Sequence, residues 1–225
     1  MQEFDRKTLA SCFGRYVRKS ARILDVGCGI GENMLLLKGM GYQNIVGVDI
    51  SPEMVKKATA AGCECYLDTE MGETGFDVIL FSHVIEHLGY PGIVSFLEGY
   101  FSRASEEAIM VVLTPTLYDG FFADIDHIKP YYPEGLLLLF SDRNASRQYH
   151  SRFRLELVDI RFRRDSLIPY NMRSRYIRTL PNRFLFFFIS RFFLILKAIT
   201  FNMLSRTTGY IAVFRLKTNK QTCSV

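Results

Sequence analysis

Apolar runs of strand length alternate with amphipathic stretches of helical length through the first half of the chain. ARILDVG (21–27), NIVGVDI (44–50), CECYL (63–67), FDVILFSHV (76–84) and EAIMVVLTP (107–115) read as strands, with helices expected near 31–40, 52–61 and 91–104. Near-continuous apolar strands joined by helices imply a parallel sheet covered on both faces, an α/β architecture. No repeat or low-complexity linker breaks the alternation. With 225 residues and 48% hydrophobic content, one domain with a full core is expected over 1–225.

The pattern changes after Pro115. TLYDGFFADIDHIKPYYPEG (116–135) is an aromatic and polar loop, long enough to suggest a function, and a helical stretch follows from about 133 to 146. RLELVDIRF (154–162) and GYIAVFRLK (209–217) read as two further strands. Residues 164–208 form an insert between them, arginine-rich as far as Arg183 and then strongly apolar in FLFFFISRFFLILKAITFNML (184–204).

Charge sharpens the division. Residues 1–120 carry 10 Lys and Arg against 16 Asp and Glu, and residues 121–225 carry 18 against 7, so a half of charge −6 precedes one of +11. Such segregation points to an anionic partner such as phospholipid, a phosphorylated substrate or nucleic acid. Glu3, Asp5, Arg6, Lys7, Arg15, Arg18 and Lys19 leave no apolar stretch near the start, so a cytoplasmic protein is expected. Cys12, Cys28, Cys63, Cys65 and Cys223 include no CxxC and suit reduced thiols, and no metal site is expected.

ILDVGCGIGE (23–32) carries the most specific chemistry. A strand that breaks into close glycines before a helix lets backbone approach a ligand that side chains would block. The dinucleotide fingerprint needs GxGxxG, but here Glu32 occupies the third glycine's place and the spacing is Gly27, Gly29, Gly31. Asp25 and Glu32 flank the loop with no cation in it, which disfavours a pyrophosphate and favours a positively charged ligand. Asp49, ending the next strand, is placed to accept hydrogen bonds from a ribose diol.

ILDVGCGIGE, GVDIS (47–51) and FDVILFSHVIEHL (76–88), in this order over roughly residues 20–115, resemble three consecutive motifs of the class I S-adenosylmethionine-dependent methyltransferases. The resemblance implies a Rossmann-like sandwich: a seven-stranded, mostly parallel sheet with an antiparallel last strand and helices on both faces. RLELVDIRF and GYIAVFRLK would be its closing hairpin. It also implies S-adenosylmethionine as cofactor. Asp25, Gly27 and Gly29 would surround its methionine end, with Gly31 completing the loop. Asp49 would hold the ribose, Ile50 the adenine face and Asp68 the adenine amino group, while Ser82 and His83 would border the methyl group. The TEMGETG that follows Asp68 departs from the family pattern.

Transfer from a sulfonium needs a positioned acceptor, and a base where the acceptor must lose a proton. His83, His87, Asp126 and His127 are the candidates. DIDHIKP (124–130) resembles an element of glycan-associated methyltransferases, with Ile125 and Asp126 where the family more often has Pro and Thr. By that resemblance His127 and Lys129 face the acceptor, and Tyr131 and Tyr132 wall its pocket. A glycan, lipid-linked or small polar acceptor methylated on oxygen is therefore expected.

Projected as a helix, residues 184–204 place Phe184, Leu185, Phe188, Ile189, Phe192, Ile195, Leu196, Ile199 and Met203 on one face, opposite Ser190, Arg191, Lys197 and Thr200. Internal charges argue against a spanning helix. With Arg173, Arg175, Arg178 and Arg183 ahead of it, the segment suits an anionic membrane surface, through 173–206, on the inner face. Its apolar face could instead pack on the protein's own sheet or a second subunit. Three rival readings follow: a nicotinamide-dependent oxidoreductase, disfavoured by the missing glycine; a non-catalytic scaffold; and a nucleic-acid methylase, disfavoured by the absence of an Asn/Asp-Pro-Pro-aromatic motif.

Overall fold

The computed structural model describes residues 3–140, 151–166, 183–200, 203 and 205–218. The early strands are β1 (Ile23–Val26), β2 (Ile45–Asp49), β3 (Glu64–Leu67), β4 (Phe76–Ser82) and β5 (Ala104–Pro115). Helices α1 (Glu3–Tyr16), α2 (Glu32–Gly39), α3 (Pro52–Ala60) and α4 (Gly92–Phe101) flank them. Then come α5 (Pro133–Leu139), β6 (Phe153–Ser166), α6 (Arg183–Ile199) and β7 (Ser205–Thr218). The seven strands lie in the order β3-β2-β1-β4-β5-β7-β6. β1 to β5 pair in parallel, and β7 runs antiparallel to both β5 and β6.

Alternation along each strand divides the core into two layers. Leu24, Val26, Ile79, Phe81, Met110, Val112, Tyr210 and Phe214 face a cluster with Ile93, Leu97 and Phe101 of α4 and Leu136 of α5. Ile23, Val78, Leu80, Val111, Leu113, Ile211 and Val213 face the opposite cluster with Leu9 and Phe13 of α1 and Met34 and Leu37 of α2. The full burial of β1 explains why its sequence is continuously apolar, with one exception: Asp25, also wholly buried.

Two differences from expectation have physical causes. β6 and β7 are each 14 residues long, against nine expected, because polar residues continue the ladder: Arg163 pairs with Gly209, Arg164 with Thr207 and Asp165 with Arg206. Strand therefore takes up 164–166 and 205–208, both ends of the expected insert. The helix expected over 133–146 is present as Pro133–Leu139, and residues 141–150 lie outside those described. Arg173, Arg175 and Arg178 of the basic run are outside them as well, as is Cys223.

Candidate cofactor and acceptor site

The carboxyl ends of β1, β2 and β4 converge on one edge, with β1 in the middle. Leaving β1, the chain takes positive φ at Gly27 (68°), Gly29 (54°) and Gly31 (84°), conformations that cost an L-residue strain. The three glycines do different work. A Cβ on Gly27 would meet Val84 Cγ2 at 2.5 Å and one on Gly31 would meet Cys63 Sγ at 2.7 Å, so these two let the loop pack. A Cβ on Gly29 would meet nothing within 4 Å, so its surface is the open side of the loop. Gly27→Ala should destabilise the fold by about 1–3 kcal/mol through strain and overpacking, and a chemical denaturation curve reads this directly.

Two carboxylates organise the loop. Asp49 accepts from Gly29 N through Oδ2 and from Ser51 N through Oδ1, both at 2.9 Å, which fixes the turn and leaves lone pairs free to each oxygen. Ile50 beside it is 88% exposed, an apolar side chain with no cover at a strand end. Asp25 has no exposure, and neither of its oxygens has a hydrogen-bond partner among the described residues. Burial pushes its pKa up to about 7, with the Asn33 amide opposing this and the Asp49 charge adding to it. A buried carboxylate without a partner is costly unless a cationic or donor group compensates it. Asp68, just beyond β3, accepts from the Tyr100 hydroxyl, which holds it toward the same edge.

Beyond β4 lies an ionic network that joins four elements, buried at Asp5, Arg163 and Glu86 and open to solvent at His83, whose side chain is 38% exposed. Asp5 of α1 accepts from Arg163 Nη1 of β6 at 2.7 Å and lies 3.5 Å from His83 Nε2. His83 Nδ1 is 3.2 Å from Glu86 Oε1, and Glu86 Oε2 accepts from Thr114 Oγ1 of β5 at 3.0 Å. His83 adopts φ 56°, rare for a residue with a Cβ, and its amide donates to Leu113 O at 2.8 Å. Burial alone would lower the His83 pKa, but hydrogen bonds to Asp5 and Glu86 outweigh it and raise it to about 9. A histidine charged at neutral pH has no lone pair to act as a base. Ser82, one residue earlier, is half-buried at the end of β4.

His87 and His127 are arranged differently. Their rings lie 5.1 Å apart, and each Nδ1 is held by a backbone carbonyl: His87 by Asp126 O at 3.0 Å, His127 by Phe121 O at 2.8 Å. With each Nδ1 turned to a carbonyl, Nε2 is the ring nitrogen left for another partner. The His127 ring also stacks at 4.7 Å on Phe121, and Asp124 Oδ2 lies 3.6 Å from its Nε2. The Glu86 carbonyl accepts from Ile128 N (2.9 Å) and Lys129 N (3.1 Å), stitching the long loop to the segment after β4.

The expected site residues thus meet at one sheet edge, with adjustments. Asp126 contributes its carbonyl, while its side chain is exposed. Tyr131 is buried and donates to Leu88 O at 2.8 Å, so it anchors the loop rather than walling a pocket; Tyr132 is exposed and accepts from Leu117 N. Asp5, Arg163 and Glu86 escaped sequence reasoning. The only available signal was a carboxylate between two apolar residues and a histidine in VIEHL, which reads equally well as a solvated helix start.

A family model described as a methyltransferase domain matches residues 1–180. The chain belongs to the class I S-adenosylmethionine-dependent methyltransferases. Over 95 residues it is 35% identical to ajmaline N-methyltransferase of Rauvolfia serpentina, a match covering 35% of this chain and 33% of that protein. The matched region therefore spans about a third of that curated relative's length. Among solved structures, an S-adenosylmethionine-dependent methyltransferase of Archaeoglobus fulgidus superposes with a TM-score of 0.57 at 22% identity, covering 93% of this chain and 94% of that one. The YcgJ protein of Bacillus subtilis gives 0.62 at 13% identity over 96% and 99%. At these identities the superpositions speak for the fold. In this methyltransferase the cofactor is S-adenosylmethionine, and the wholly buried Asp25, its oxygens without a close hydrogen-bond partner among the described residues, next to a loop open at Gly29 fits its cationic end.

Proposed function

We propose that this methyltransferase transfers the methyl group to a hydroxyl of a small polar, glycan or lipid-linked acceptor held at His87 and His127. The observation that carries this reading is the pair of imidazoles 5.1 Å apart, each with Nδ1 tied to a carbonyl so that Nε2 is the nitrogen left for the acceptor, that of His127 with Asp124 Oδ2 3.6 Å away. When bound, S-adenosylmethionine supplies a sulfonium methyl group, already activated for displacement. The chain's own residues then position and deprotonate. Asp25 and the open side of the loop Gly27–Gly31, whose glycine amides are held within the protein, would receive the amino-acid end, Asp49 the ribose, Ile50 and Asp68 the adenine, and Ser82 would border the methyl group.

His83 serves in this reading as a fixed positive charge, tying α1 to the site through Asp5, and not as a base. Of the four expected catalytic residues, His127 and His87 remain, with Asp126 acting through its carbonyl. His127→Ala should lower kcat about 10²–10⁴-fold and leave cofactor affinity within about twofold of wild type. Steady-state kinetics on the first acceptor found, with calorimetric titration of S-adenosylmethionine, tests this. Normal turnover in the variant would remove His127 from the reaction.

We further propose that α6 lays this edge against an anionic membrane. Much of its apolar face is uncovered: Phe188 is 66% exposed, Phe192 60%, Ile195 57% and Ile199 69%, while Ile189 and Leu196 are half-buried. On the other side, Lys197 Nζ donates to Arg164 O of β6 at 2.6 Å, which turns the exposed part of the apolar face away from that strand. No helix among them is long and apolar enough to cross a bilayer, which suits a helix lying flat. Flotation with phosphatidylglycerol vesicles should carry the protein upward, and Phe188→Ser with Phe192→Ser should abolish this; no flotation of the wild type would end the reading.

A further inference from the structure

We propose that Glu86, His87 and His127 form a site for one divalent transition-metal ion, whose remaining positions take up the acceptor oxygen. The second half rests on the reading of a hydroxyl acceptor; the first does not. One donor atom from each of the three residues lies within 4.8 Å of the others. Tetrahedral ligands about 2.1 Å from a common ion stand about 3.4 Å apart, so side-chain movements of up to about 0.7 Å on each side of the widest pair close the set.

Three observations support a built site. The Nδ1 contacts to Asp126 O and Phe121 O leave Nε2 as the ring nitrogen for a ligand, the outer-shell arrangement that orients metal-bound histidines. Glu86 is wholly buried, and its two present contacts, His83 and Thr114, leave lone pairs on a carboxylate that has about four acceptor sites. The Glu86 carbonyl, accepting from Ile128 N and Lys129 N, locks the two donor segments together before any ion arrives. The rings already stand 5.1 Å apart, close for two groups from segments 40 residues apart in sequence.

Two imidazoles and one carboxylate favour zinc, manganese, iron(II) or cobalt over magnesium or calcium, and three protein donors leave positions open. Asp124 Oδ2, 3.6 Å from His127 Nε2, stands at the rim of the set. A hydroxyl bound to such an ion is more acidic, loses its proton to water and keeps the electron pair that attacks the methyl carbon. In this form the histidines act as ligands, and the ion takes over the deprotonation that the free imidazoles would otherwise perform.

Cobalt(II) titration of the tag-free protein, followed by calorimetry and visible absorption, tests the site. One equivalent should bind with visible ligand-field bands, and His87→Ala and His127→Ala should each weaken binding at least tenfold while S-adenosylmethionine affinity and circular dichroism stay as in wild type. Absence of stoichiometric cobalt or zinc binding by folded wild type, or unchanged binding in the double variant, overturns the site. Where cobalt binds, turnover is compared after chelator dialysis and after readdition. Loss and recovery supports ion-held acceptor oxygen; equal turnover in both overturns that half alone. A product methylated on nitrogen would end the hydroxyl reading without touching the cobalt result.

Discussion

Asp25→Asn is expected to abolish S-adenosylmethionine binding while making the cofactor-free protein more stable. Asp25 sits without exposure or a hydrogen-bond partner among the described residues, and burial lifts its pKa from 3.8 to about 7. A carboxyl with a raised folded pKa weakens the fold as it ionises: the unfolded chain releases its proton near pH 4 and the folded one near pH 7, so stability falls across that window. Asparagine removes the titration. The variant should gain on the order of 1–4 kcal/mol at pH 8, with the difference shrinking towards pH 4. The same group gives binding its pH dependence. Wild-type affinity for the cationic cofactor should fall towards about tenfold per unit below pH 7 as Asp25 takes up a proton. Calorimetry at pH 8 and 6, beside thermal melts of both proteins, reads both effects; retained binding in the variant would exclude Asp25 from the cofactor site.

Asp5→Ala should be among the most destabilising single changes outside the apolar core. It leaves Arg163, 7% exposed at its side chain, without the carboxylate 2.7 Å away, and removes one of the two acids that hold His83 protonated. Breaking one side of a buried pair costs about 3–5 kcal/mol. The Arg163 hydrogen bonds to Thr208 Oγ1 and Thr208 O remain and limit the loss. A folded-state His83 pKa above its ordinary value contributes stability that is fully present below pH 6.5 and disappears as pH rises through about 9. Wild type should therefore weaken between pH 6.5 and 9 more than the variant does, and His83 should titrate lower in the variant by proton NMR. An Asp5→Ala protein as stable as wild type would mean the network contributes nothing to holding α1.

The parts of the fold that were readable from sequence are those where one physical rule dominates. Buried parallel strands are apolar throughout, so ILDV and FDVILFS declared themselves, and the glycine spacing together with Asp25 and Asp49 carried the cofactor's charge and shape. The illegible parts depend on long-range pairing. Arg163 and Asp165 look like a solvated end to β6, yet they continue the strand because Asp5, 158 positions earlier, neutralises Arg163 in the interior. Glu86 and His87 look alike in sequence, but one is buried between His83 and Thr114 and the other turns to Asp126 O. Nothing local in VIEHL tells them apart. Tyr131 and Tyr132 divide in the same way, one into the core and one outward.

Methyl transfer to oxygen at the histidine pair is tested most directly with S-adenosylmethionine carrying a carbon-13 methyl group, incubated with polar and lipid extracts and followed by carbon NMR of the product. A methoxy carbon resonance that is strong with wild type and lost with His127→Ala is the predicted result. Label arriving as an N-methyl resonance, or a methoxy signal of equal strength in the variant, would contradict it.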